Sequence, residues 1–213
     1  MEVPRDPAQC GAMNLTNALP WILLMASAAC PAQTLTIRLY DHANLPAGEM
    51  ARTTEVTTLA LGHSGIQVKW LQCRGAAAPA SPDATCDVEM RSNEITMRLL
   101  PLALDPKDPR TTEMACAIVN SEGGHYGTVY VPAVRATAKE LDVAADLLLG
   151  FVIAHEGVHL MLGPAHSRSG LMRAGYSRKE AGDLQRVSLG LTPPEAHKLA
   201  AVLKVPSTMA SLR

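Results

Sequence analysis

The residues with the clearest chemical potential stand together as His155-Glu156-Gly157-Val158-His159. On a helix, side chains four apart lie one turn above each other on the same face. The two imidazoles can therefore converge on a single metal ion. Neutral imidazole suits Zn²⁺, with bonds of about 2.0–2.1 Å. Glu156 follows the first histidine and is placed to face a metal-bound water rather than the metal. There it can accept the water's proton as the oxygen attacks a carbonyl. This spacing fits metal-assisted hydrolysis, with His155 and His159 as ligands and Glu156 as general base. The ordinary alternative is two hydrogen-bonded histidines on a helix flank. Titratable groups at the end of an apolar helix are costly without partners, which favours the metal reading.

The longer stretch HEGVHLMLGPAHSRSGLM, His155 to Met172, resembles the zinc-binding segment of the metzincin metallopeptidases. That segment reads HExxHxxGxxH and is followed by a Met-containing turn. The stretch is also similar to exported bacterial proteins with HExGHLLLG, then HS, then GIM. Ser167 after His166 matches the matrixin branch. The resemblance implies a zincin-like fold and peptide-bond hydrolysis. It implies Zn²⁺ held by His155, His159 and His166, with Glu156 as general base and Met172 as the turn methionine. It also implies an edge strand that binds peptide by β-augmentation, here expected at Gly127–Val134.

The chain departs from that pattern by one residue. Gly163 stands four after His159 and His166 seven after, against three and six in the family. The added residue turns the helix exit by about 100°. A rival third ligand is therefore Glu180, since thermolysin-like zincins use a Glu on the following helix. Glu180 also completes a capping box with Ser177, whereas His166 needs no second helix to place it. The expectation is His166. Tyr176 lies four residues after Met172, not the two that some metzincins show, so packing is expected of it.

Several elements must position these residues. Alternating β-formers predict strands over 34–40, 66–71 and 94–100. Short apolar runs at 114–119 and 128–134 are further strands, with Pro132 confining the second to an edge or a strand end. A helix is expected over 47–62. Residues 139–162 read as one long helix, apolar almost all round and therefore buried. Gly163-Pro164 stops it. Capping boxes at Ser177–Glu180 and Thr192–Glu195 open helices to about Leu189 and Leu203. Strands first and helices last give an α/β (α+β) domain over 33–213, a mixed sheet packed on the His-bearing helix with a helical C-terminal part.

Composition narrows the function further. A net charge of -1 offers no basic field for nucleic acid, and 3% aromatics give little to stack on bases. The uncharged run Leu19–Ala29 is too short to span a bilayer but suits a signal peptide, ending near small residues. Residues 1–32 are read as an export segment, which places the protein in the periplasm or outside the cell. A buried core helix is the alternative. Cys30 lacks the usual preceding Leu, so no lipid anchor is expected. In an oxidising compartment Cys73 and Cys86 would close the Ala- and Pro-rich loop between them as a disulfide. Unpaired thiols are the alternative. Cys116, among apolar residues, is expected to be buried. His42, His63, His125 and His197 have no partner motif and read as surface residues. The partner implied is a peptide or protein substrate. A structural zinc site in an exported binding protein, and a zinc hydrolase of non-peptide substrates, remain as alternatives.

Overall fold

The computed structural model describes residues 33–73, 84–102, 113–121 and 123–204. The expected export segment, with Cys10 and Cys30, lies outside them. Strand β1 (Gln33–Asp41) leads through helix α1 (Ala47–Gly62) to β2 (Ile66–Cys73). Strands β3 (Glu94–Leu100), β4 (Ala115–Asn120) and β5 (Gly123–Tyr130) follow. The chain then turns helical, with α2 (Val131–Leu141), α3 (Ala145–Leu162), α4 (Ala181–Gln185) and α5 (Pro193–Leu203).

The strands form one mixed sheet in the order β2-β1-β3-β5-β4. Only β4 runs antiparallel to its neighbour. Alternation puts Leu35, Ile37 and Leu39 of β1 and Ile95, Met97 and Leu99 of β3 into the core, none more than 2% exposed. α3 packs there, buried from Leu147 to Met161. Its approach to α1 depends on Gly150, where a Cβ would stand 2.6 Å from Val56 Cβ. The Thr57 hydroxyl donates to the Gly150 carbonyl at 2.9 Å. Burial on nearly all sides explains why α3 is so apolar. It is long and apolar enough to cross a membrane, yet it is the core of this domain.

Several expectations need correction. Residues 139–162 are two helices, broken where Asp142 adopts a left-handed φ of 59°. The amide of Val143 then bonds back to Ala138 O at 3.0 Å, closing the end of α2. Strand β5 stops at Tyr130, because Pro132 starts α2 in its first turn rather than continuing the strand. β5 is also not the edge. It lies between β3 and β4, so the edge is β4, hairpinned onto β5 through Asn120–Gly123. Cys116 is exposed. β4 turns Ala115, Ala117 and Val119 inward, which sends Cys116 and Ile118 outward. The helix expected from Ser177 to Leu189 is only α4, since Val187 at a φ of 51° cannot continue it. The capping box of α5 forms as expected, with Glu195 Oε2 accepting from Thr192 N at 2.8 Å. Cys73 and Cys86 form a disulfide, with Cα atoms 5.7 Å apart.

Candidate metal centre

The C-terminal end of α3 carries three polar groups into the core. His155 and Glu156 are each 9% exposed and His159 5%. α3 ends at Gly163, whose φ of 88° suits glycine. This exit does two things. It returns the chain toward α3, and it aims the Gly163 carbonyl at His159 Nδ1, 2.9 Å away. His155 Nδ1 faces the Leu171 carbonyl at 2.8 Å.

A carbonyl can only accept, so Nδ1 carries the proton in both rings. Each Nε2 is then a bare lone pair. His159 Nε2 lies 3.0 Å from His155 Nε2 and 3.1 Å from His166 Nε2. Burial pushes His155 down to about 4 and lowers His159 as well, so neither ring carries an extra proton at neutral pH. The lone pairs of His155 and His159 at 3.0 Å repel unless a cation sits between them. Ligands about 2.0–2.1 Å from a tetrahedral Zn²⁺ stand about 3.3 Å from each other, close to what is seen. The donor set therefore fits a metal such as zinc. Among the described residues, His155, His159 and His166 are the group with ligand atoms close enough to share an ion. The added residue in the helix exit does not prevent His166 from reaching it.

The loop after His166 supports the site from below. Ser167 N donates to Met172 O at 2.8 Å, closing a tight turn, and Leu171 N donates to Gly190 O at 2.8 Å. Met172, 2% exposed, lies in the core at this turn. Tyr176 donates its hydroxyl to Leu171 O at 2.8 Å.

Glu180 does not join the histidines. Its Oε2 accepts from Ser177 N and Oγ at 2.8 and 2.6 Å, and its Oε1 lies 3.0 Å from Arg173 Nη1. Both of its carboxylate oxygens are thus engaged away from the histidines. His42, His63, His125 and His197 stand outside the cluster.

The three histidines open into a cleft of about 490 Å³. One wall is β4, through Ala115, Ala117 and Val119, and the other is Arg173 to Tyr176. Glu156 lines it, and its carboxyl has no hydrogen bond or ion pair among the described residues. Burial raises Glu156 to about 7. Burial, and then the Glu156 charge, hold the Tyr176 hydroxyl far above its ordinary value. The sequence reading missed Tyr176 and Arg173 as cleft residues and β4 as its wall. The alternation in Met114–Val119 was the one signal for β4. Nothing in the spacing announced the other two.

A mixed-sheet α/β domain with a three-histidine centre at the end of its buried helix is what fold and site define. No family model matches the sequence, and no curated protein matches it. Among solved structures, it is similar to archaemetzincin from Methanopyrus kandleri, at 15% identity and a TM-score of 0.45. The match covers 83% of this chain and 99% of that one.

Proposed function

We propose that the protein is an exported zinc-dependent peptidase. The observation that supports this most is the three Nε2 atoms at 3.0 and 3.1 Å with both α3 rings held by Nδ1. His155, His159 and His166 would hold the ion. Zinc, when bound, supplies Lewis acidity to a carbonyl and makes a water acidic enough to attack at neutral pH.

The chain's own residues do the rest. Glu156 has a carboxyl raised to about 7, suited to taking a proton from water and returning it to the leaving amine. Its lack of a hydrogen-bonding partner leaves it available for that task. Among the described residues, β4 is the outermost strand of the sheet and stands beside the cleft. An extended peptide can pair with such a strand, so the cleft suits peptides. A purely structural zinc site would be closed by four protein ligands. The three-histidine group in an open cleft argues against that alternative. The Cys73–Cys86 disulfide fits an oxidising compartment, in line with export.

The test is Glu156→Gln in the full chain. Zinc content should stay near one per chain, while cleavage of a peptide library falls about 10²–10⁴-fold. A wild-type protein that takes up no zinc, or a Gln variant that cleaves normally, would refute the reading.

A further inference from the structure

Beyond the histidines and Glu156, the cleft has two charged lining residues among those described, Glu113 on the β4 side and Arg173 on the opposite wall. The Arg173 side chain, 35% exposed, is held by an ion pair. Behind it stands Glu180, buried at 8% exposure, with one oxygen on Arg173 Nη1 and the other on Ser177. The Ser177 hydrogen bonds lower the Glu180 carboxyl, so Glu180 is ionised wherever Arg173 would need it. The backbone is fixed too. Arg173 bridges to Ser167, the residue next to His166. Arg173 thus lines the same cleft as the three histidines, with its backbone bridged to Ser167 and its guanidinium paired with Glu180.

A guanidinium carries five N–H donors in a planar fork, and the Glu180 contact uses only part of them. Such a fork binds a second carboxylate in a bidentate manner. The cleft's two charged lining residues differ in sign between its walls: Glu113 repels an acidic group, whereas Arg173, its charge balanced by Glu180, offers that group its unused N–H donors. We propose that Arg173 receives a substrate carboxylate beside the scissile bond, making the cleft selective for acidic peptides. This rests on the peptidase reading for its substrate class. The carboxylate comes from an Asp or Glu side chain, or from a free C-terminus close to the cut.

The experiment uses zinc-loaded full-length protein with Glu156→Gln, so that binding is read without turnover. Fluorescent peptides identical except for Glu or Gln at one position are titrated by anisotropy. A second pair compares a free C-terminus with its amide. One pair should show about 10-fold tighter binding of the carboxylate form. That pair identifies the carboxylate's source. The preference should vanish in Glu156→Gln/Arg173→Gln with zinc content unchanged. Arg-selective modification by phenylglyoxal, mapped by mass spectrometry, repeats the test without substituting Arg173. The preferred peptide should protect Arg173 several-fold better than its amide counterpart. No carboxylate preference in either pair, or one that survives Arg173→Gln, or no differential protection, overturns the proposal. Wild-type protein that never cleaves, while the Arg173-dependent preference persists, sinks the peptidase reading and leaves the carboxylate site standing.

Discussion

His155 and Tyr176 share one acceptor, the carbonyl of Leu171, each donating at 2.8 Å. The first donor is the Nδ1–H that turns His155 Nε2 toward the other histidines. The second holds the carbonyl in place from the loop that forms the far wall. Tyr176→Phe keeps the ring contact with Phe151 but loses that second hold. Outer partners of ligands typically contribute 10–100-fold in metal affinity. Because His155 keeps its own bond here, the lower end applies, and chelator competition should find zinc affinity weakened about 10-fold. An unchanged affinity would mean the Leu171 carbonyl is fixed without Tyr176.

His166→Ala and Glu180→Ala should separate cleanly. The first removes one of three converging nitrogens, so zinc should be lost on gel filtration. The second should leave zinc bound but lower the melting temperature by a few degrees, since Glu180 ties Ser177 to Arg173. The sign of its pH dependence follows from its lowered carboxyl. A group whose folded value is depressed stabilises the protein above its unfolded value and loses that contribution as pH falls. The melting-temperature gap between wild type and Glu180→Ala should therefore be full at neutral pH and narrow below about 4.5. Zinc lost from Glu180→Ala would return Glu180 to the candidate ligands.

Much of this site was legible because its ligands are local. His155 and His159 needed only helical spacing, and His166 only the glycine exit. Glu180 was separable from them in sequence, since its capping partner Ser177 stands three residues before it. What was not legible depends on tertiary neighbours. Which strand forms the edge is decided by pairing across the sheet, and the short apolar runs at 114–119 and 128–134 look alike in sequence. The break at Asp142 was hidden because residues on both sides favour helix and only a left-handed φ separates them. Cys116 looked buried because its neighbours are apolar, but alternation on an edge strand turned it outward. Arg173 acquired its position from Glu180 and Ser167, contacts that no local pattern encodes.

Removing the metal should cost stability as well as activity. Without an ion, the bare Nε2 lone pairs of His155 and His159 face each other at 3.0 Å in a buried site, with His166 Nε2 3.1 Å from His159. Chelator treatment should lower the melting temperature, and titrating zinc back should restore it. A ligand at about 1,000 times its Kd stabilises the folded state by roughly 4 kcal/mol. The shift should be absent in His159→Ala, which loses the central nitrogen of the three. Equal melting temperatures with and without zinc would show that the histidines do not bind it in the folded state.

The last expectation concerns the Cys73–Cys86 disulfide, which starts from the last residue of β2. It closes a stretch with a sequence separation of 13. Cys73 and Cys86 form a small apolar cluster with Leu71, against which Tyr40 packs. The segment they anchor is also gripped by the buried Arg38. That residue pairs with Glu94 and donates to the carbonyls of Cys86 and Val88 at 3.2 and 2.7 Å. In the chain-entropy model, closing a loop of about 15 residues contributes about 3 kcal/mol. Because the Arg38 contacts hold the segment even without the bond, its loss should loosen the segment rather than unfold the domain. Cys73→Ser/Cys86→Ser should therefore fold and bind zinc, with stability to urea reduced by up to about 3 kcal/mol. Non-reducing peptide mapping of the wild type should recover the linked pair, with Cys116 free. Free thiols at both positions in protein recovered from its own compartment would count against the disulfide and against export together.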